Sequence, residues 1–284
     1  MRIKKHPSGN EYILASGLWV RNFVKPCTRY LSVNDMFSRE DMSLVLKNSE
    51  LNKNRPKIAS ESIFFRAMVI VSDGYRFSEK HLWLGGLPKD VGILAVNSAA
   101  RRWKLLSSDV PPEKRRTINA YVVNNPYPEC LAYLPENKYY PTCIASARTN
   151  SDFVGRYPGD VYLYSPTPEE GFGYEAKERY CIDDYRNPVC AAVGLAYNFG
   201  ARKVLLLCCD DSFAEPRVGS VALPNGLHTY PQQIMSQETL DANLYWLTSQ
   251  QEREVAVANC SEGIKLKNAL YIQSEKEVGE FLGE

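Results

Sequence analysis

This 284-residue sequence lacks long apolar runs, a large excess of either charge and any C-x-x-C pair of cysteines. No apolar run approaches the roughly 20 residues that a membrane span needs, and residues 1–12 lack the apolar core of a signal peptide. We therefore expect a cytoplasmic protein with no membrane partner. The formal net charge of +1 provides no general attraction for polyanions, so we expect no general nucleic-acid binding.

Cysteine is present in eight copies, but no two of them form a C-x-x-C pair, which argues against a structural zinc site. Cys208 and Cys209 are neighbours in a predicted strand and face opposite sides of it, so they cannot readily chelate one metal together. Reduced, mostly buried thiols are the expected state.

The composition, with 44% hydrophobic and 24% charged residues, is that of a folded protein. From Ala67 onward, short apolar or β-branched runs alternate with polar turn residues and helix-compatible stretches. The runs are AMVIVS at 67–72, VGILAV at 91–96, INAYVV at 118–123, PTCIAS at 141–146 and DVYLYS at 160–165. This alternation predicts an α/β fold with a mostly parallel sheet and flanking helices. We assign residues 67–284 to this domain and residues 1–66 to an N-terminal extension or small subdomain.

Polar residues stand where these predicted strands stop. Ligands of parallel sheets bind beyond the carboxyl ends of the strands, so these residues are candidates for binding. They are Asp73, Gly74, Asn97, Ser98, Asn124, Asn125 and Ser146. Asn, Asp and Ser also favour turns and helix N-caps whatever the function, and that alternative stays open.

The clearest helix–strand unit begins at Asn187, which suits an N-cap and is followed by Pro188 at the first helical position. Gly200 is suited to ending the helix with a positive φ. The strand KVLLLCC at 203–209 is too apolar to be exposed on either face, which indicates a central position in the sheet. The start of the helix offers free N–H groups to an anion.

An acidic doublet, Asp210 and Asp211, follows this strand directly. Carboxylates there can hold Mg²⁺, accept a hydrogen bond from a sugar hydroxyl or act as a base. The structural alternative is that one carboxylate caps a turn and the other is solvated. The densest basic region, residues 101–116, either grips a diphosphate or forms a solvated helix face.

Five stretches, taken in order, resemble a known family. They are VIVSDGYRFSEKHLWL, VGILAVNSAARRW, NPVCAAVGLAYNFGARKVLLLCCDDSF, GLHTYP and VANCSEGIKLKNAL. Together they resemble the family of the archaeal 6-hydroxymethyl-dihydropterin pyrophosphokinase, which includes motility-accessory, flagellin-modifying glycosyltransferases with a sialyltransferase-like Rossmann core. The resemblance covers about residues 67–271. Two features differ: the Gly-rich turn G-x-G-P-S of the relatives is VSDGYRF here, and their Asp after a later strand is replaced by NNPY.

The resemblance implies a Rossmann-like transferase with a nucleotide-activated donor. We expect a glycosyltransferase that moves a sugar from a nucleotide sugar to an acceptor hydroxyl, because the altered turn and the missing Asp remove parts that ATP–Mg²⁺ chemistry needs. The alternatives are a pyrophosphokinase that transfers diphosphate from ATP to a pterin-like alcohol, and a non-catalytic nucleotide-binding or structural protein. A nucleotide or nucleotide sugar is the expected partner, Mg²⁺ is the candidate cofactor, and the acceptor is open. The 18 tyrosines and four tryptophans supply material for a homodimer contact.

The same resemblance makes Asp210, Asp211 and His228 the catalytic candidates, and the two aspartates are also the metal candidates. His228 would act as a general base or donate to the leaving phosphate, since imidazole titrates near neutral pH; an exposed loop histidine is the alternative. The further binding candidates are Asn187, Tyr230, Ser261 and Glu262. Tyr230 either stacks on a base or packs, and Glu262 either binds a donor hydroxyl or belongs to a simple turn at Gly263.

Overall fold

The computed structural model describes residues 3–5, 11–15, 18–21, 39–58, 65–74, 77–100, 112, 115–134, 140–166, 181–182, 188–209, 255–261, 266 and 269–283. Three short strands near the N-terminus form an antiparallel sheet in the order β1-β2-β3. They are β1 (Ile3–Lys5), β2 (Glu11–Ala15) and β3 (Leu18–Arg21).

Within the described residues, nine further strands form one main sheet. They are β4 (Ala67–Val71), β5 (Val91–Val96), β6 (Ala120–Val123), β7 (Thr142–Ser146), β8 (Val161–Pro166), β9 (Cys181–Ile182), β10 (Lys203–Leu207), β11 (Ala256–Asn259) and β12 (Leu270–Tyr271). Their order is β12-β11-β10-β4-β5-β6-β7-β8-β9, and every pair of neighbours is parallel. The expected α/β, Rossmann-like fold with a parallel sheet is confirmed.

Helices cover both faces of this sheet. The α-helices are α1 (Arg39–Asn52), α2 (Phe77–Lys80), α3 (Ser151–Arg156), α4 (Pro188–Asn198) and α5 (Glu275–Gly283), and 3-10 helices span His81–Gly86 and Pro128–Tyr133. Alternate residues of one strand therefore enter different cores. In β4, Met68 and Ile70 pack in a cluster with α4, whereas Val69 and Val71 pack in the cluster that contains α5. Because both faces are covered, the strands are apolar along their whole length, which is why they could be read from the sequence.

The end of α4 determines where the following strand begins. Gly200 has a φ of 87°, and its N–H donates to the Tyr197 carbonyl at 2.9 Å while Ala201 N–H donates to Ala196 at 3.0 Å. This pair of bonds is a Schellman motif, and the predicted role of Gly200 is confirmed. Within α4, a Cβ on Gly194 would lie 3.0 Å from Ile182, so a small residue is needed for the helix to approach β9.

Residues before Ala67 also contact the main sheet. Lys57 forms a parallel bridge with Leu163 of β8, and the Leu163 backbone exchanges hydrogen bonds with Ile58 at 2.9 Å and Pro56 at 2.8 Å. Residues 56–58, which follow α1, therefore pair with β8 of the main sheet. The proposed domain boundary after residue 66 stays a prediction.

Two smaller expectations concern cysteine and membranes. Among the described residues, six cysteines are buried thiols outside any disulfide, as expected: Cys130, Cys143, Cys190, Cys208, Cys209 and Cys260. None of the helices that the structure describes is both long enough and apolar enough to cross a membrane.

Candidate active site

The chain order of the strands reverses at β4. Strands β5 to β9 follow on one side of β4, and β10 returns to its other side. Loops that leave a parallel sheet on opposite sides of such a point open a crevice beyond the carboxyl ends of the strands. We call this border of the main sheet the carboxyl edge, and the residues just beyond β4, β5, β6 and β10 are its centre.

Two residues at this centre have left-handed backbone conformations. Asn97 follows β5 with a φ of 45°, and Cys208 follows β10 with a φ of 55°. Non-glycine residues seldom adopt such angles, and they concentrate at functional sites. Both residues neighbour the end of β4, where Gly74 N–H donates to the Cys208 carbonyl at 3.1 Å.

Side chains link the ends of neighbouring strands across the crevice. Ser98 Oγ donates to a carboxylate oxygen of Asp73 at 2.5 Å, which joins the loop after β4 to the loop after β5. Asn97 Oδ1 accepts from Asn124 N–H at 3.4 Å, which joins the loop after β5 to that after β6. These four residues were predicted to stand together at strand ends, and the structure brings them together.

Asn124 differs from its neighbours because part of its side chain is unpaired. The residue is 7% exposed, and its buried Nδ2 has no hydrogen-bond partner among the residues that the structure describes. A buried amide N–H₂ is normally satisfied, and leaving it unpaired costs about 1–3 kcal/mol. An acceptor atom of a ligand would remove this cost.

Tyr133 is a residue of this region that the sequence did not single out. Asn125 Nδ2 lies 3.4 Å from the Tyr133 hydroxyl. Burial raises the pKa of the Tyr133 phenol, the hydrogen bond with Asn125 opposes that change, and the negative charge of Asp73 raises the pKa further. The phenol is therefore a neutral donor at physiological pH. It comes from the 3-10 helix after β6, and no sequence spacing indicated it.

Three of the predicted residues use their side chains within the chain. Asn125 Oδ1 accepts from Tyr127 N–H at 2.9 Å in an Asx-type turn, and Ser146 Oγ accepts from Arg148 N–H at 3.3 Å. Ser261 Oγ accepts from Cys209 N–H at 2.7 Å and so ties the end of β10 to the segment after β11. The turn alternative thus has direct support at these positions.

Two buried cations also lie at the carboxyl edge. Lys80 is 5% exposed, and its ammonium donates to the Cys260 carbonyl, just beyond β11, at 2.7 Å. Arg148, equally buried, belongs to the loop after β7. The position of Arg148 directly after a predicted strand could have indicated it, whereas nothing in the sequence distinguished Lys80.

The basic region of residues 101–116 is described at its end only. Arg116 donates to the carbonyls of Leu87 at 2.6 Å, Pro88 at 2.7 Å and Val91 at 2.7 Å. Val91 is the first residue of β5, so Arg116 supports the opposite border of the sheet. Arg116 therefore has a structural role, and the alternative that it grips a diphosphate does not apply to it.

Helix α4 directs its first turn toward the carboxyl edge. Its last turn leads through Gly200 into Lys203 at the start of β10, so its beginning lies toward the end of the strands. Helix α4 contacts β4, β5 and β6. The first N–H groups of a helix lack partners within it, which makes this end a candidate for anion binding.

Several predicted residues lie outside the described residues. These are Asn187, Asp210, Asp211, His228, Tyr230 and Glu262. Their roles stay predictions. Among the residues that the structure does describe, no group of three His, Cys, Asp or Glu side chains could hold a metal ion.

Comparison with known structures identifies the fold. The MAf glycosyltransferase from Magnetospirillum magneticum AMB-1 superimposes with a TM-score of 0.60 at 14% identity, over 86% of this chain and 41% of that chain. This chain shares its fold with a glycosyltransferase. It spans about two fifths of the length of that relative. The sialyltransferase CstII from Campylobacter jejuni, solved with the substrate analogue CMP-3FNeuAc, aligns with a TM-score of 0.38 at 13% identity, over 74% of this chain and 87% of that chain.

The sequence itself matches no family model and no curated protein. The resemblance to glycosyltransferases is therefore supported at the level of the fold. The MAf structure lends no support to the pyrophosphokinase name.

Proposed function

We propose that this chain is a glycosyltransferase that transfers a sugar from a nucleotide sugar to an acceptor hydroxyl. The donor would bind at the carboxyl edge, in the crevice beside the end of β4. The observation that carries the proposal is the buried, unpaired Nδ2 of Asn124, which lies where a ligand of a parallel sheet is expected. The fold shared with a glycosyltransferase supports the choice of reaction.

The chemistry sets three requirements. The bond between the anomeric carbon and the phosphate oxygen breaks, a bond from that carbon to the acceptor oxygen forms, and the acceptor proton passes to a base. The leaving phosphate gains negative charge, which N–H groups, a cation or a metal must stabilise. The acceptor hydroxyl must be held in line and lose its proton.

The described residues provide suitable groups for the donor. The Asp73 carboxylate, held by Ser98, accepts hydrogen bonds and suits a ribose or sugar hydroxyl. A carboxylate repels phosphate, so we place the diphosphate or phosphate away from the turn after β4. The first turn of α4 is the natural site for it, and the Asn124 amide would donate to an acceptor atom of the nucleotide.

The residues outside the described part would complete the reaction. We propose His228 as the general base or as the donor to the leaving phosphate. Asp210 and Asp211, which follow β10 in sequence, would act as base or hold Mg²⁺, the ion that would neutralise the leaving group. Tyr230 would stack on the nucleotide base, and Glu262 would bind a donor hydroxyl. Asn187 would cap the helix start that receives phosphate.

Thermal-shift measurements with CMP, UDP, GDP and ADP, their sugar derivatives and ATP, each with and without Mg²⁺, test the proposal. Stabilisation by one nucleotide sugar, followed by release of its nucleotide on incubation with mixed acceptor alcohols, is the expected result. A response to ATP and Mg²⁺ alone would indicate pyrophosphoryl transfer instead. No response across the panel would indicate a binding or structural protein and would overturn the proposal.

A further inference from the structure

Helix α1 buries two amides on the same face as one apolar side chain, Val45, which is 2% exposed. Asn48 and Asn52, one turn apart, are 2% and 1% exposed, whereas Leu46 and Leu51 on the same helix are 43% and 58% exposed. A helix normally packs its apolar stripe inward, and a buried amide is retained only where its hydrogen bonds are made. The inward face of α1 therefore makes specific polar contacts as well as packing Val45.

Asn48 connects two loops of the carboxyl edge. Its Nδ2 donates to the Pro126 carbonyl at 2.9 Å, in the loop after β6, and to the Arg148 carbonyl at 3.3 Å, in the loop after β7. Its Oδ1 accepts from Ser151 N–H, at the start of α3, at 3.4 Å. One side chain thus uses both kinds of amide atom to bridge segments that are far apart in sequence.

Asn52 secures the second of these loops. Its Nδ2 donates to the carbonyls of Ala147 at 3.2 Å and Thr149 at 2.8 Å. A single planar N–H₂ group at this depth fixes the separation of the two carbonyls, because its two hydrogens point in set directions. Neither a shorter nor a charged side chain reproduces that arrangement.

The two loops that α1 holds are also joined to each other. Asn150 N–H donates to the Asn125 carbonyl at 3.0 Å, and Thr149 Oγ1 donates to the Val123 carbonyl at 3.1 Å, at the end of β6. Asn124 follows Val123 directly. A shift of the loop after β7 would therefore reach the segment that carries Asn124 and Asn125.

We infer that Asn48 and Asn52 are positioning residues of the candidate active site, and that α1 is one of its structural walls. They act through the carbonyls after β6 and β7, which set the place of Asn124 and Asn125. The expected effect on ligand binding rests on the proposed function, whereas the effect on loop order does not. A helix from the segment before Ala67 would then be required for binding at the sheet.

The test compares Asn48→Ala and Asn52→Ala with Asn119→Ala. Asn119 is a matched control, because its Oδ1 also accepts a backbone hydrogen bond, from Ile93 N–H at 2.8 Å, but at the opposite border of the sheet. Asn48→Asp keeps the acceptor for Ser151 but replaces both donors with a buried oxygen that repels the Pro126 and Arg148 carbonyls, so it is the stronger perturbation. All variants are measured in the full chain at a temperature where each is folded.

The first readout is backbone hydrogen exchange in residues 124–127 and 147–151. We expect faster exchange there in the Asn48 and Asn52 variants and no local change in Asn119→Ala. The second readout is the dissociation constant of CMP and of UDP. Loss of a hydrogen bond that orders the site should weaken nucleotide binding about five- to tenfold in the α1 variants. The dissociation constant of the control Asn119→Ala should not change.

The two proposals fail in different ways. If the wild-type protein binds neither nucleotide, the proposed function is in doubt, and hydrogen exchange alone still decides the inference about α1. The inference about α1 would be overturned if hydrogen exchange in residues 124–127 and 147–151 were the same in Asn52→Ala, Asn48→Asp and Asn119→Ala. If the Asn48 and Asn52 variants exchange faster but bind nucleotide with unchanged affinity, the two residues only stabilise the loops. That result would also overturn the positioning role.

Discussion

The Ser98 hydroxyl donates to the Asp73 carboxylate at 2.5 Å. This bond joins the end of β4, where the strand order reverses, to the end of the neighbouring strand β5. The turn after β4 therefore presents a carboxyl group whose position is held by Ser98. A carboxylate accepts hydrogen bonds and cannot donate them when ionised. Under the proposed function, a carboxylate at this position would favour a hydroxyl or a cation over a phosphate.

Replacing Asp73 by Asn should test this selection. The variant keeps the shape of the side chain and one acceptor for Ser98, but it loses the charge and half of the acceptor capacity. Hydrogen bonds to a charged group contribute about 1.5–3 kcal/mol, so we expect at least about tenfold weaker binding of the nucleotide sugar, measured by calorimetry. Asp160→Asn is the control, since Asp160 is exposed and precedes β8 at the opposite border. Equal affinity in Asp73→Asn and wild type would remove Asp73 from the donor site.

Tyr133 provides a readout of the same carboxylate that needs no ligand. The charge of Asp73 is one cause of the raised pKa of Tyr133, after burial. In Asp73→Asn the pKa of Tyr133 should therefore fall toward its ordinary value, as followed by NMR titration of tyrosine labelled with ¹³C at Cζ. Tyr121 should respond less: burial is the largest cause of its raised pKa, Asp73 is not among the causes, and Tyr133 is only one of the smaller ones.

The raised pKa of Tyr133 also has a consequence for stability. The unfolded chain ionises this phenol near its ordinary pKa of 10.0, while the folded chain keeps it neutral to higher pH. The contribution to stability is complete below pH 10.0 and is lost as the pH rises toward the folded value. Tyr133→Phe should reduce this alkaline loss, and an unchanged unfolding profile above that pH would contradict the burial of the hydroxyl.

Most of the central sheet could be predicted because its strands are buried on both faces. β4, β5 and β10 consist almost entirely of apolar residues, and such runs differ plainly from the polar turns between them. β9 and β12 have two residues each, too few for any pattern. The strand order could not be predicted either, because no local pattern places β10 beside β4; that depends on which crossover buries α4.

The candidate site was predictable in part for the same reason. Asp73, Asn97 and Asn124 follow clear strands, so their position at the carboxyl edge is confirmed. Tyr133 and Asn48 come from a 3-10 helix and from a helix before the main sheet, and their approach depends on packing between segments distant in sequence. Their roles in binding stay predictions.

Asn124→Ala should separate binding from stability. The side-chain N–H₂ has no partner within the described part of the chain. Its removal therefore breaks no hydrogen bond there, and Tm should change little. If a bound nucleotide accepts a hydrogen bond from this amide, the variant should lose about 1 kcal/mol of binding free energy, or roughly fivefold in affinity. Asn150→Ala is the contrast: Asn150 Oδ1 caps α3 through Asp152 N–H and Phe153 N–H, both at 3.1 Å, so its loss should lower Tm. A large fall in Tm for Asn124→Ala would mean that its amide is paired.

The start of α5 gives a prediction that is independent of function. Ser274 and Glu277 form a capping box, in which Ser274 Oγ accepts from Glu277 N–H at 3.3 Å. Glu277 Oε2 accepts from Gln273 N–H at 2.7 Å and from Ser274 N–H at 3.1 Å. The bond from Gln273, followed by those from Ser274, lowers the pKa of Glu277 below its ordinary 4.5.

A lowered pKa in the folded state stabilises the protein above the unfolded value of 4.5, and the contribution is lost as the pH falls through the folded value. Glu277→Gln should therefore unfold with a smaller dependence on pH than the wild type as the pH falls below 4.5, measured by urea denaturation. Glu280→Gln is the matched control, because Glu280 lies on the same helix in an exposed ion pair with Lys276 at 3.5 Å, a kind of contact that contributes little. Ser274→Ala should remove about 1 kcal/mol through the lost cap bond to Glu277 N–H, and a small part of the acid dependence as well, because the Ser274 hydroxyl also lowers the pKa of Glu277. If the Glu277 and Glu280 variants showed the same acid dependence, the carboxylate of Glu277 would not be the cap of α5, and the helix start would have to be held by Ser274 alone.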